Sequence, residues 1–321
     1  MFEPIPSASD YPSPTPAAPN LWPLADGVFA PPVAAPVEPD AATDDERPTR
    51  PAPSLSPASS AAPQEMPRML SILGVRICDA RRTTAVELLS AALAGSPARP
   101  RLVYFVNAHT LNLAAADPQY RRVLNGADYV FGDGTGVRWA ARLQGIRIRD
   151  NLCGTDLIPQ LLAANADRGC RMFLLGGNEA LIDSAARRAA ELFPGWQIAG
   201  RHHGYLDAAA SLDAVAAINA AEPHLLLVGM GNPRQERWLA KYRQRLRVPL
   251  CAAVGGLFHY WAGDLRRAPR WLRRIGAEWL GILFQQPHKA QRYLLGNPLF
   301  LWRIGRAWLA ARLGPRRLSA E

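Results

Sequence analysis

Cysteine is scarce in this chain: Cys78, Cys153, Cys170 and Cys251 are spread through 321 residues, and no two form a C-x-x-C pair. That usage excludes a disulfide framework and a cysteine-built metal cluster as organising features, and it suits a reducing cytoplasm. No G-x-x-x-x-G-K-[ST] occurs, against a P-loop nucleotidase, and no H-E-x-x-H, against a zinc hydrolase. Between residues 68 and 321 there is no Asp-x-Asp, the usual carboxylate pair for a metal-bound nucleotide diphosphate. Neither a metal nor a cofactor is therefore expected. No run of about 18 uncharged apolar residues is present, so no transmembrane helix is expected. The opening Met-Phe-Glu-Pro-Ile-Pro has neither a basic nor an apolar signal region.

What the chain does contain is unevenly placed. Seventeen of its 29 prolines fall within residues 1–67, among many Ala and Ser, with nine acidic residues against Arg47 and Arg50. Such a stretch cannot bury enough apolar surface to offset the entropy of ordering, and residues 1–67 read as a disordered tail. The opposite end is basic. Residues 265–321 carry 12 Lys and Arg against Glu278 and Glu321, which calls for an anionic partner or membrane surface.

From residue 68 to 263 short apolar runs alternate with helical stretches. The runs are Leu102–Val106, Tyr129–Phe131, Met172–Leu175, Leu225–Val228 and Leu250–Val254. The helical candidates are Thr84–Leu93, Val137–Leu143, Asp156–Ala166, Leu181–Leu192, Leu212–Ala221 and Pro233–Leu246. This alternation predicts an α/β, Rossmann-like, mostly parallel sheet with helices on both faces. Residues 264–321 then form a basic amphipathic helical appendage. Pro269 opens one helix, with Trp271, Leu272, Ile275, Trp279 and Leu283 on one face and Arg270, Arg273 and Arg274 on the other. A second, after Pro298, sets Leu301, Ile304 and Trp308 opposite Arg303 and Arg306. Arginines beside tryptophans suit a membrane interface. The alternative is that both apolar faces pack on the body of the protein or on a neighbouring subunit.

Three strand ends carry candidate chemistry. The run His224–Val228 leads into Gly229-Met230-Gly231-Asn232-Pro233-Arg234-Gln235-Glu236: two glycines, then a proline in the first turn of a helix. Glycines let a ligand approach the backbone, and free N–H groups of the new helix suit a phosphate. A tight turn with a solvated Gln-Glu pair is the other reading. Arg234 stands where a dinucleotide fingerprint needs its third glycine, which argues against nicotinamide. Gly176-Gly177-Asn178 forms a second strand–glycine–helix junction able to meet a diphosphate. Asp133, inside Gly132-Asp133-Gly134-Thr135-Gly136, is placed for general-base work because glycines admit a substrate to hydrogen-bond reach. Its competing role is to cap the next helix. Asn107, His109 and Asn112 follow another strand end and could face the crevice, His109 as a second acid-base group. Tyr205, after His202-His203-Gly204, could stack on a base or pack in a loop.

Taken in order, these segments resemble the WecG/TagA/CpsF glycosyltransferases of bacterial cell-surface polymers. The matching residues are Asn107, Ala127-Asp128, Gly132–Gly136, Gly154-Thr155-Asp156-Leu157, Leu174–Gly177 and Gly204-Tyr205. Val228–Glu236, Gly255-Gly256, Gly263, Arg267–Trp271, Glu278-Trp279 and Arg292-Tyr293 continue the series. The resemblance implies an inverting, metal-independent transferase that moves a sugar from a UDP-sugar to a polyprenyl-diphosphate-linked sugar at the cytoplasmic face of the membrane. It makes Asp133 the general base and assigns Pro233, Gln235 and Glu236 to the donor loop. It gives the C-terminal segment, with Arg267, Lys289 and Arg292, to membrane attachment and to the diphosphates. Departures fall at Phe105, where the family has threonine, at Ile282 in place of an arginine, and at Lys289, which keeps charge but loses a bidentate fork. They suggest a subgroup with another sugar pair, of the xanthan type. The resemblance leaves a homo-oligomer open and implies no nucleic-acid partner. The rival from another class is a non-catalytic membrane- or nucleic-acid-binding module acting through its basic tail.

Overall fold

The computed structural model describes residues 66–269, 272, 278–286 and 290–313. The expected Pro-rich tail lies outside these residues except for its last two, and so do residues 270, 271 and 273–277 of the helix expected after Pro269.

Eight strands form one sheet in the order β1-β2-β4-β3-β8-β7-β5-β6. They are β1 (Arg68–Ile72), β2 (Val75–Asp79), β3 (Arg101–Val106), β4 (Tyr129–Gly132), β5 (Arg171–Gly176), β6 (Gln197–His202), β7 (Leu225–Gly229) and β8 (Leu250–Ala253). All neighbours are parallel except β1 and β2, an antiparallel hairpin closed at Ile72↔Val75 by Leu73 and Gly74, both at positive φ. Two positive-φ residues make the turn whose twist suits a two-residue hairpin.

Alternate residues of each central strand enter different cores, as a two-residue period requires. Val103, Phe105, Leu174, Leu225, Leu227 and Ala252 face one layer; Leu102, Tyr104, Leu175, Leu226, Val228 and Cys251 face the other. The first layer is made by α1 (Arg82–Leu93), α5 (Gly154–Ala164), α6 (Glu179–Leu192) and α9 (Leu257–Ala262). The second is made by α2 (Ala108–Ala116), α3 (Pro118–Asn125), α4 (Thr135–Leu143), α7 (Ala208–Ala220) and α8 (Arg234–Tyr242). Burial on both faces is why these strands are unbroken apolar runs. All four cysteines are free and buried.

After α9 come α10 (Glu278–Gln285), α11 (Ala290–Leu294) and α12 (Gly296–Leu313). Helix α12 joins the second layer through Phe300 and Ile304. This corrects the expected stripe. Ile304 is buried, but Leu301 is exposed, and Arg303 turns inward to donate to the Asn112 carbonyl (2.7 Å) and to Asn112 Oδ1 (3.1 Å). Asn112 in turn donates to Gly296 O at 2.7 Å, so it holds α12 rather than facing the crevice. Among the described residues no helix is long and apolar enough to cross a membrane.

A candidate active site at the carboxyl edge of the sheet

Parallel strands bring their carboxyl ends to one edge, and five of the loops there carry residues of the matched motifs. Asp133 leaves β4, Asn107 leaves β3, Gly255-Gly256 follow β8, Gly229–Pro233 follow β7, and Gly176–Asn178 leave β5. Three strand spacings separate β4 from β7, or ~14 Å, a span suited to an extended nucleotide-sugar.

On the β4 side, the Asp133 N–H donates to Val106 O at 2.8 Å and the Gly134 N–H to Asn151 Oδ1 at 2.7 Å. The loop is thus pinned on both sides of a half-buried carboxylate. Gly134 lies at φ +86°, and a Cβ built on it would meet nothing within 4 Å. The space on that side of Gly134 is open. Nearby, Cys153 caps the start of α5 and donates its thiol to Asp156 Oδ2 at 3.0 Å. Burial, then the charges of Asp133 and Asp156, push that thiol well above its ordinary value. Burial also pushes the Asp156 carboxyl up, but the bonds and charge of Arg267 outweigh it and hold Asp156 below its ordinary value. Arg267 ion-pairs with Asp156 and donates to Thr155 Oγ1 at 3.1 Å. The arginine expected to hold substrate therefore clamps the chain beyond α9 to the start of α5. Asn107 Oδ1 accepts from the N–H groups of His109 (3.1 Å) and Thr110 (3.2 Å), capping α2, and His109 stands half-buried in its first turn. Phe105 packs its ring against Gly154, where a Cβ would come within 3.0 Å of it.

The β5–β7 side is knit by backbone. Gly177 N–H donates to Gly229 O (3.3 Å), and Gly204 N–H donates to Gly177 O (2.8 Å). Gly176 allows this approach, since a Cβ there would lie 2.3 Å from Gly229 O. Asn178 caps α6 through Leu181 N–H at 2.9 Å. Gly231, at φ +78°, has open space around it. Pro233 stands at the cap position just before α8 rather than in its first turn, and α8 ends at Tyr242. The solvated Gln-Glu pair is not found: Gln235 is 2% and Glu236 0% exposed. Gln235 Oε1 accepts from Gly255 N–H at 3.1 Å. Glu236 Oε1 accepts from Asn232 (2.5 Å) and Gln235 (2.7 Å), and its Oε2 from the Tyr120 hydroxyl (3.1 Å). Burial raises its carboxyl above the ordinary value despite these bonds. The pair thus braces the loops after β7 and β8 from beneath. Tyr205 is exposed, with the Arg234 guanidinium 5.9 Å from its ring centre.

The sequence matches the glycosyl transferase WecG/TagA/CpsF family over residues 70–314. The chain belongs to that family. Similar proteins include the N-acetylglucosaminyldiphosphoundecaprenol N-acetyl-beta-D-mannosaminyltransferase of Bacillus spizizenii, 32% identical over 56% of this chain and 70% of that protein. The protein of the same description from Staphylococcus aureus strain MW2 is 26% identical over 74% of this chain and 92% of its own length. Its counterpart from Bacillus subtilis is 29% identical over 59% and 73% respectively. A glycosyltransferase, not a non-catalytic binding module, is the class these findings give.

Within this glycosyltransferase the matched motifs divide by position. Asp128 lies at the opposite edge, accepting from Leu102 N–H (2.9 Å), Arg101 (2.9 Å) and Arg243 (2.6 Å). Lys289 lies outside the described residues, and Arg292 is described only as part of α11. Sequence reasoning assigned no role to Asn151, which pins the Asp133 loop, or to Asn232 and Tyr120, which brace Glu236. Asn232 sat inside the quoted segment, and an amide one residue ahead of a proline cap was the available signal. Among the described residues no group of three or more His, Cys, Asp or Glu is placed to hold a metal ion.

Proposed function

We propose that the chain is an inverting hexosyltransferase that uses a UDP-sugar donor and a polyprenyl-diphosphate-linked sugar acceptor, at the cytoplasmic face of the membrane. The observation that carries this is the half-buried Asp133 at the β4 end, next to open space at Gly134 and on the same sheet edge as the glycine loops of β5 and β7. The names of the related proteins, which describe transfer to a diphospho-polyprenol-linked sugar, support the acceptor class. UDP lies along the loops at Gly176–Asn178 and Gly229–Pro233, with Tyr205 available to its base.

In the reaction, Asp133 accepts the proton of the acceptor hydroxyl as that oxygen attacks the anomeric carbon from the face opposite the diphosphate. The bond from that carbon to the β-phosphate oxygen breaks, and UDP leaves with the electron pair. Backbone N–H groups at the helix starts, together with tail cations such as Lys289 and Arg292, meet the developing charge. Gln235 and Glu236 act by holding the donor loop, not by touching the sugar. A panel of UDP-sugars against short-chain polyprenyl-diphosphate-sugar acceptors, with and without chelator, tests the reading. Transfer with inverted anomeric configuration is expected. A retained configuration, or transfer from another nucleotide only, overturns it.

A further inference from the structure

The loop between α4 and α5, residues 144–153, crosses the carboxyl edge of the sheet, and its hydrogen bonds trace its course. The Arg147 carbonyl accepts from the Arg68 guanidinium at the start of β1, which is antiparallel and so begins at this edge. The Arg149 N–H donates to Asp79 Oδ1 at the end of β2 (3.0 Å). Asp150 Oδ2 accepts from the Arg82 N–H, just beyond β2 (2.7 Å). Asn151 then takes the Gly134 N–H, and the Leu152 N–H donates to Gly132 O at 3.2 Å. The loop thus passes from β1 over β2 to β4, arginines first and the Asp133 turn last. Neighbouring strands lie about 5 Å apart, so Arg149 and Arg147 attach roughly one and two strands beyond Asp133.

The charges there are not all spent. Asp79 is matched by Arg68, and Asp156 by Arg267. Arg149 donates to the carbonyls of Met66 (2.7 Å) and Asp79 (3.4 Å), which leaves its positive charge in place. Arg82 and Arg147 make no side-chain hydrogen bond or ion pair among the described residues, although Arg82 is half-buried. Against the rise from burial, and after Arg267, the charge of Arg82 helps hold the Asp156 carboxyl low. Its guanidinium is therefore within Coulomb reach of the pocket where Cys153 feels Asp133 and Asp156. Planar guanidiniums with donors to spare suit phosphate oxygens.

We propose that Arg82 and Arg147, on the β2 side of Asp133, bind the diphosphate of the acceptor. The proposal rests on the reading above, with a UDP-sugar over the β5 and β7 loops and a polyprenyl-diphosphate sugar as acceptor. In the sheet order β2 lies on one side of β4, while β8, β7 and β5 lie on the other. Inversion requires the attacking hydroxyl to approach the anomeric carbon from the side away from UDP. With UDP toward β7, the acceptor sugar lies toward β2. Its diphosphate, one sugar ring beyond the attacking oxygen, then meets the arginines and not the glycine loops. The base stands between two diphosphates, one met by backbone N–H groups and the other by side-chain cations.

The test uses the full chain and two acceptors with the same sugar, one on a short-chain prenyl diphosphate and one as a neutral alkyl glycoside. Wild-type KM is lower for the diphosphate. Arg82→Gln raises that KM by about tenfold or more, the size of a lost charged hydrogen bond, and Arg147→Gln, at an exposed position, raises it less. Arg82→Lys recovers part of the loss, since charge returns without the fork. The KM for UDP-sugar, kcat at saturating acceptor, transfer to the glycoside and the urea midpoint all hold. Arg122→Gln, exposed in the last turn of α3 and so near the opposite edge of the sheet, changes nothing. The proposal is overturned if both variants keep the wild-type KM for the diphosphate acceptor, if they lose equally on the glycoside, or if the KM for UDP-sugar rises instead. It is also overturned if only binding to anionic vesicles falls, which makes the arginines a bilayer contact. Wild-type protein that transfers to no diphosphate-linked acceptor defeats the acceptor reading itself.

Discussion

At the β4 end of the crevice, a Cβ on Gly134 would meet nothing within 4 Å; at the β5 end, one on Gly176 would strike Gly229 O at 2.3 Å. The two glycines thus serve different ends. The first lets the backbone take φ +86° and leaves open space on its own side of the loop. The second lets two loops bond to each other. The carboxyls behind them differ in the same way. Asp156, on the β4 side, is paired with an arginine that favours its ionised form, whereas Glu236, beneath the loop after β7, is walled in by neutral donors. One side is open beside charged groups. The other is already knit by its own bonds, and a ligand there would need little further ordering.

Substitutions can break this contrast. The largest effect is expected at the open side: Asp133→Asn lowers transfer by roughly 10²–10⁴-fold, the usual size of a lost general base. A titration with UDP should show the donor site intact. Next come the glycines. Gly176→Ala should cost stability at the upper end of the roughly 1–3 kcal/mol typical of overpacking. Gly134→Ala, strained only by its backbone at φ +86° and ψ 177°, should cost toward the lower end of the roughly 1–3 kcal/mol of that region and slow transfer more than it destabilises. Equal urea midpoints for the two variants would remove the distinction drawn here.

The carboxyls offer a subtler check through pH. Asp156 lies below its unfolded value near 3.8, so it contributes stability above that pH and loses it as pH falls through the folded value. Glu236 lies above its unfolded value near 4.5, so its favourable contribution is complete below that pH and fades as pH rises through the folded value. Relative to wild type, Asp156→Asn should therefore recover as the solution is acidified, and Glu236→Gln should improve as it is made alkaline. Denaturation curves at several pH values measure both, and slopes of the same sign would contradict the assignment. The smallest effect is expected at Arg303→Ala, which removes the two bonds to Asn112. A loss of about 1 kcal/mol is expected for α12 docking, read by hydrogen exchange in that helix.

How much of this was legible in the sequence depended on distance and burial. The central strands stood out because both faces are covered, which leaves runs such as Leu225–Val228 without polar interruption. Edge strand β6 did not, since most of Gln197–His202 is half-exposed and polar. Helix α2, Ala-rich and buried on much of its surface, shows little amphipathic contrast to read. That Asp133 and the glycine loops stand at strand ends was readable because strand, glycine and helix follow one another locally. The burial of Gln235 and Glu236 was not, because it depends on Tyr120 and Gly255, both remote in sequence. The ion pair of Arg267 was hidden for the same reason: its partner Asp156 lies 111 residues earlier.

The seat of Phe300 against Gly136 also sets an order of events at birth. The loop of Asp133 and the start of α4 emerge from the ribosome 164 residues before the side chain that packs on them (300 less 136). At about 5–20 residues per second, that interval is on the order of ten seconds or more. During it the sheet can form while Gly136 still lacks the ring that covers it. The turn after β4 would settle into its final packing only when α12 arrives.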